Sequence, residues 1–195
     1  MGRPAKFTST DILDAAADLV AQGGPTMATV AAISDRLQAP SGSVYHRFAT
    51  RDLLVAQLWV QLVREAQAGF IEALALDDVD EAAKQACLHV PRWSRANLPK
   101  AQVLLLYRRS DLVEHWPDEM GEDLATLNDG LARALRSYTR RRFSTSSARA
   151  RRTVTFALID VPFAGVRSYL QAGQAPPKHV DELVLRTCRC ILAGP

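Results

Sequence analysis

Apolar residues recur along most of this chain at the three- and four-residue spacing of amphipathic helices. Over residues 8–22 the stripe is Ile12, Leu13, Ala16, Leu19 and Val20. Thr8 with Asp11 three residues later forms a capping box at its start, and Gly23 suits the left-handed position after its end. Thr29 opens a second helix carrying Val30, Ile33 and Leu37. Gln38-Ala39-Pro40 interrupts it, because proline cannot continue a helix and pushes the residue before it out of the α region. Pro40 or Ser41 then opens a third, short helix. Val44 and Phe48 lie on its apolar face, and Ser43, Tyr45, His46 and Arg47 on the other.

Thr50 caps a fourth helix that runs to about residue 76, with Leu54, Leu58, Gln61, Leu62 and Glu65 in period. It starts in one unit and ends in the next, which makes it the natural mechanical link. Asp77-Asp78-Val79-Asp80 is the first clear break. Helices are then predicted over 80–97, with Pro91 as a kink site, from Pro99 towards Trp116-Pro117, over 118–142, over 147–172 and from about residue 178 to the end. The result is an all-α chain of about nine helices. An N-terminal three-helix helix-turn-helix domain spans residues 1–50, and a helical bundle spans 51–195.

Composition adds boundaries to this picture. The chain has 195 residues, 48% of them hydrophobic, enough to bury a sizeable core. No apolar run reaches the length of a membrane span. The basic start, Met1-Gly2-Arg3-Pro4-Ala5-Lys6, is followed by no apolar signal core, so cytoplasmic residence is expected. The net charge is only +3, and residues 1–50 balance Arg3, Lys6, Arg36 and Arg47 against Asp11, Asp14, Asp18 and Asp35. Charge alone therefore does not argue for a nucleic-acid partner. Cys87, Cys188 and Cys190 read as free thiols. Cys87-x-His89 and Cys188-x-Cys190 do not place their members on one helix face, so these cysteines read as small buried hydrophobes rather than a metal or redox site. No nucleophile elbow, paired metal-binding histidines or phosphate loop occurs, and no cofactor or catalytic residue is expected.

A short helix with an apolar underside and a small, hydroxyl, aromatic and basic outer face suits a DNA major groove. Helix-turn-helix geometry also occurs in αα-corners that never meet DNA. The stretch from Lys6 to Leu54 resembles the DNA-binding domain of the TetR family of bacterial transcription regulators. The resemblance lies in Thr8, Ile12-Leu13-x-x-Ala16, Gly23, Thr29-Val30-x-x-Ile33, Gly42-Ser43-Val44-Tyr45-His46-x-Phe48 and Arg51-Asp52-x-Leu54. Two positions depart from the family pattern. Gln38 stands where glycine is usual, at a cost of roughly 1 kcal/mol if the backbone there is left-handed. Pro40 stands where a capping serine often stands.

The resemblance implies a ligand-responsive regulator, a repressor in the first instance, that binds a palindromic operator as a homodimer and is released by a small hydrophobic molecule. An activator of the same family and a helical protein-interaction adaptor are the alternatives. DNA contacts are expected from Thr29, Ser41, Ser43, Tyr45, His46, Arg47 and Arg51, and from Arg3 and Lys6 on an N-terminal arm whose other reading is a solvated tail. The dimer is expected through the last two helices, at Val161, Val180, Leu183, Val184, Thr187 and Ile191. The effector pocket candidates are Leu62, Trp93, Tyr107, Trp116, Phe156 and Asp160; core packing is the plain alternative for each aromatic. Asp160, in an otherwise apolar stretch, needs a partner, either an arginine or a polar effector. Arg140-Arg141-Arg142 with Arg149, Arg151 and Arg152 reads as a solvated helix end, with a second nucleic-acid patch as the alternative.

Overall fold

The computed structural model describes residues 7–106 and 118–193, and among these every regular element is helical. Helix α1 is Ser9–Gly23, α2 Val30–Leu37, α3 Ser41–Tyr45, α4 Arg51–Leu74, α5 Val79–Ala96 and α6 Leu98–Leu106. After residue 117 come a 3-10 turn at Asp118–Met120, α7 at Gly121–Thr126 and α8 at Asp129–Phe143. Ala148–Thr155, Phe156–Asp160 and Val161–Gln171 follow one another without a break and together make α9; α10 is His179–Leu192. No helix among the described residues is long and apolar enough to cross a membrane.

Side-chain caps set several of these boundaries. The Thr8 hydroxyl accepts from the Asp11 N–H at 3.1 Å, and the Asp11 carboxylate accepts from the Thr8 N–H at 2.7 Å. The bond from the Thr8 N–H, with a second from the Thr8 hydroxyl to the same carboxylate at 2.8 Å, holds the Asp11 carboxyl below its ordinary range. Thr29 and Thr50 each accept from an N–H three residues on, at 3.1 Å. Asp78 accepts from the Asp80 and Glu81 N–H groups, both at 2.8 Å, and so starts α5 at Val79. At the end of α1 the helix runs through Gly23, and Gly24 takes the positive φ of 84°.

Two expected helices differ from their sequence reading. The one over 118–142 is divided at Leu127-Asn128. The Thr126 hydroxyl bonds back to the Glu122 carbonyl at 2.9 Å, a contact that bends helices. Asn128 leaves the helical well, with φ −100° and ψ 2°. The bend lets Leu127 bury against Ala56, Trp59 and Val60 of α4. In α9, Phe156–Asp160 is a turn of π-helix, with the Val161 N–H bonded to the Phe156 carbonyl. Pro162 supplies the reason: it has no N–H for the Leu158 carbonyl, and its ring would strike that oxygen in a regular α-turn.

Three apolar clusters hold the chain. The first packs α1, α2 and α3 with Leu54, Val55, Leu58 and Leu62 of α4 and Val103 of α6. The second gathers Phe70, Ala73 and Leu74 of α4 with α5, Tyr138 and the inner faces of α9 and α10. The small third cluster joins the middle of α4 to Met120 and Leu127. Helix α4 thus belongs to every cluster, and the N-terminal core draws on residues beyond Thr50.

Candidate nucleic-acid interface

The helix-turn-helix is built by short-range constraints. Gln38 ends α2 in the left-handed region, with φ 50° and ψ 42°, and the Ala39 N–H reaches back to the Ser34 carbonyl at 2.9 Å. Pro40, at φ −59° and ψ 134°, then turns the chain into α3. One turn of helix separates Val44 from Phe48, and both are buried, at 0% and 1% exposure. Their burial turns the opposite face outward. Ser41, Tyr45 and His46 are exposed there, Tyr45 to 58%, while Ser43 and Arg47 are half-buried.

A 58% exposed tyrosine directly over two fully buried neighbours is a side chain held out by the core rather than left over from it. The Thr29 hydroxyl already accepts from the Ala32 N–H, which leaves its O–H free in direction to donate to a phosphate at the start of α2. Arg47 turns its guanidinium back to the Ser43 carbonyl at 3.0 Å, so this arginine braces α3 in the free protein. Arg51 is exposed in the first turn of α4, behind the Thr50 cap. Arg36, on the far side of α2, is paired with Asp18 of α1. That pairing segregates charge: the Asp18 carboxylate is engaged inside the domain. Arg3 and Lys6 lie outside the described residues.

The described pocket candidates do not converge. Leu62 is fully buried in the N-terminal cluster beside Val103, Trp93 packs half-buried against the second cluster, and Phe156 is 47% exposed. Asp160 has an arginine partner, as one of its two readings held, but Arg152 lies on the same continuous helix, at 3.1 Å, rather than on a neighbouring one. Tyr107 and Trp116 lie outside the described residues. A cleft of 760 Å³ does open between the end of α1, α6 and α9, floored by Leu104, Leu105, Phe163 and Leu170, with Gln102 and Arg167 as polar groups.

The expected dimer residues divide as well. Val180 and Val184 are 4% and 3% exposed in the single chain, because they close on Gly165 of α9. A Cβ at Gly165 would sit 3.2 Å from Val184 Cγ2, so that glycine lets the two helices touch. In the single chain these valines pack against α9. Val161 and Ile191 are half-buried against the same core, while Leu183 and Thr187 face outward, Leu183 at 50% exposure.

The arginine cluster is only partly a solvated helix end. Arg141 donates to the carbonyls of Leu74 and Leu76, at the end of α4. Arg142 pairs with Asp80 and donates to the Leu192 carbonyl at 3.1 Å, at the end of α10. Both cations thus satisfy carbonyls that a helix end leaves open.

Two joints escaped the sequence reading. Lys100 of α6 meets Asp14 of α1 and Glu65 of α4, both at 2.9 Å. Desolvation opposes the Lys100 charge, but the two carboxylates together outweigh it and raise its pKa. The signal was visible: Gln61 and Glu65 are polar at stripe positions of α4, and they bond to each other at 2.9 Å. At the second joint the His89 ring of α5 lies where a Cβ on Gly69 of α4 would come within 2.6 Å, and its Nε2 meets the Ala66 carbonyl at 2.8 Å. Burial lowers the His89 pKa, against smaller raising effects of Ala66 and Glu72. A glycine inside a long helix was the hint there.

Comparison with known proteins agrees with this architecture. Residues 12–58 match the family model of bacterial regulatory proteins of the tetR family. No curated protein matches the chain. Among solved structures, the TetR family transcriptional regulator PfmR from Thermus thermophilus superposes with a TM-score of 0.70 at 18% identity, over 94% of this chain and 97% of that one. The fatty acid degradation regulator FadR from Bacillus halodurans gives 0.68 at 16% identity, over 96% of this chain and 100% of that one.

Proposed function

We propose that this chain, with a TetR-type N-terminal domain over residues 12–58 and the TetR-regulator fold overall, is a dimeric DNA-binding transcription regulator that responds to a small molecule. The observation that carries the reading is α3 itself. Its buried Val44 and Phe48 hold Tyr45, His46 and Ser41 outward on a short, rigid helix. Ser43 and His46 reach base edges, Tyr45 and Arg51 reach phosphates, and Thr29 donates to a phosphate at the start of α2. Arg3 and Lys6 extend this set on an N-terminal arm.

A two-fold dimer supplies the second recognition helix, about 34–36 Å away on a palindromic site. Leu183, Thr187 and Cys190 support an interface on α10, since they form one exposed strip along the helix, flanking the buried Val180 and Val184. The effector reading rests on the cleft between α1, α6 and α9, whose leucines and Phe163 suit an apolar molecule. A molecule seated there touches α1 directly. It shifts the population of dimers whose recognition helices fit one turn of DNA, and α4 carries the change to the second core. Repression is the sign we assign.

Fluorescence anisotropy of the full chain on the DNA upstream of its own gene, against a scrambled duplex and across a salt series, tests this. Tight binding to one duplex with a steep salt slope is expected. Tyr45→Ala should weaken it by about tenfold or more, the scale of one lost hydrogen bond to a charged group, with unchanged melting. An unaltered affinity in that variant would remove α3 from the interface and favour the adaptor reading. Leu183→Glu should yield monomers in sedimentation if α10 forms the interface.

A further inference from the structure

Two large apolar side chains that the surface leaves uncovered, Phe163 at 43% and Leu106 at 49% exposure, stand on the cleft between the end of α1, α6 and α9. Beside them Leu104 packs against the N-terminal core and Leu105 against the second core, and both are only half-buried. The cleft therefore lies on the seam between the two cores, with an apolar wall that the single chain does not cover.

The only formal charge among the described residues lining this cleft is the guanidinium of Arg167. Arg167 has no ion pair among the described residues, whereas Arg36, Arg64, Arg95, Arg142 and Arg152 each have one. Gln102, on the facing helix α6, gives its Nε2 only a long 3.4 Å contact with the Leu170 carbonyl. The ends of α1 and α9 also meet here, and the open carbonyls of a helix end would favour a cation. These carbonyls are already engaged: the Gly24 N–H bonds to Val20 at 2.7 Å, and the Gly173 N–H to Leu170 at 3.2 Å. An unpaired cation over an apolar wall is what remains. The 520 Å³ cleft between α5, α8 and α10 is the opposite case, since Glu81 and Asp80 already pair with its Lys84 and Arg142.

We propose that the cleft at α1, α6 and α9 takes an amphiphilic monocarboxylate, an apolar body ending in one carboxylate, with Arg167 as the carboxylate's partner and Gln102 as a second donor. The inference rests on the effector reading above and gives that effector its charge. The apolar body removes Phe163, Leu104, Leu105 and Leu106 from water. A guanidinium presents two parallel N–H groups to the two carboxylate oxygens, a pairing stronger than a neutral hydrogen bond. Arg167 follows Phe163 by one helical turn on α9 and is exposed, so its head meets the carboxylate at the mouth of the cleft. The charge stays partly hydrated there, which avoids the cost of burying an ion. A neutral amphiphile of the same length gains only the apolar term, and a cationic one meets repulsion from Arg167.

The test is isothermal titration of the full chain with decanoate, decanol and decyltrimethylammonium below their micelle concentrations. Each ligand is then added to the complex with the DNA upstream of the gene, followed by anisotropy. Decanoate is expected to bind saturably and about tenfold tighter than decanol, the scale of a hydrogen bond to a charged group. Decyltrimethylammonium should bind more weakly than decanol. Arg167→Met should bring decanoate down to the level of decanol, and Arg167→Lys should recover part of the difference. Phe163→Ala should weaken decanoate and decanol alike, which locates both in this cleft. Equal binding of decanoate and decanol would overturn the proposal, as would no binding of decanoate, or decanoate binding that Arg167→Met leaves unaltered. The DNA arm separates this inference from the reading it rests on. Decanol that matches decanoate and releases the DNA keeps an apolar effector and removes the carboxylate. Decanoate held through Arg167 that leaves the DNA complex intact keeps the carboxylate site and removes its effector role. The ranking of the three ligands on the wild-type chain needs no variant, so a variant that fails to fold does not blunt the test.

Discussion

The surface formed by α2 and α3 and the interior of the C-terminal half present opposite designs. In the first, the described candidate side chains lie within 23 residues of chain, from Thr29 to Arg51, and Ser41, Tyr45 and His46 are exposed because Val44 and Phe48 are buried. In the second, the groups that meet come from far apart: Lys100 finds Asp14 and Glu65, Arg95 finds Asp181, and Arg141 finds the end of α4. A reading surface is a local product of caps, a turn and two buried anchors. A pocket or a joint is a product of packing. The two designs meet in α4, whose first half closes one core and whose second half closes the other.

Emptying each core in turn should give the largest effects and tests whether the two designs are coupled. Phe48→Ala should cost about 3–5 kcal/mol and Leu158→Ala about 2–5, since both side chains are essentially fully buried. If α4 couples the cores, urea unfolding of either variant will give one transition, with circular dichroism and tryptophan fluorescence coinciding. Two separated transitions would mean that the halves unfold independently and that α4 is only a tether.

A smaller perturbation addresses the joint alone. Gly69→Ala places a Cβ 2.6 Å from the His89 ring, and the ring must leave the Ala66 carbonyl. Overpacking of this kind costs about 1–3 kcal/mol. A melting temperature equal to wild type would show that the α4–α5 contact has slack. Smaller again is Thr29→Ala, which removes one cap and should cost about 1 kcal/mol. In the proposed regulator it should also weaken DNA binding, so it probes the link between local structure and the reading surface. A variant that loses stability but keeps full affinity would separate the two.

The mildest probe is pH. Burial depresses the His89 pKa below the 6.5 of a free histidine. The unfolded chain therefore binds this proton more readily than the folded one. Its contribution to stability is whole above pH 6.5 and is lost as pH falls through the lower folded value. Urea midpoints between pH 7.5 and 5 should decline, and His89→Gln should flatten that limb. An unchanged slope in the variant would assign the decline to other groups.

The helical class, the early helix boundaries and the inward and outward faces of α3 were all legible in the order of residues. These depend on interactions three or four residues long: the Thr8–Asp11 box, the Thr29 and Thr50 caps, the proline after α2 and the Val44–Phe48 pair. Even the left-handed backbone considered at Gln38 is present, with φ 50°. Where the signal was local but ambiguous the reading slipped by little, as at Gly24 instead of Gly23. Which face meets which was settled only by packing in three dimensions. An apolar stripe on α10 is equally suited to a partner subunit and to α9, and in the single chain Val180 and Val184 close on Gly165 of α9. The cysteines were legible as helical residues, but only Cys87 and Cys188 are buried as expected, and Cys190 is exposed. Helical periodicity fixes a residue's angle about its own axis; the neighbour across the gap is fixed by how α4, α5, α9 and α10 pack together.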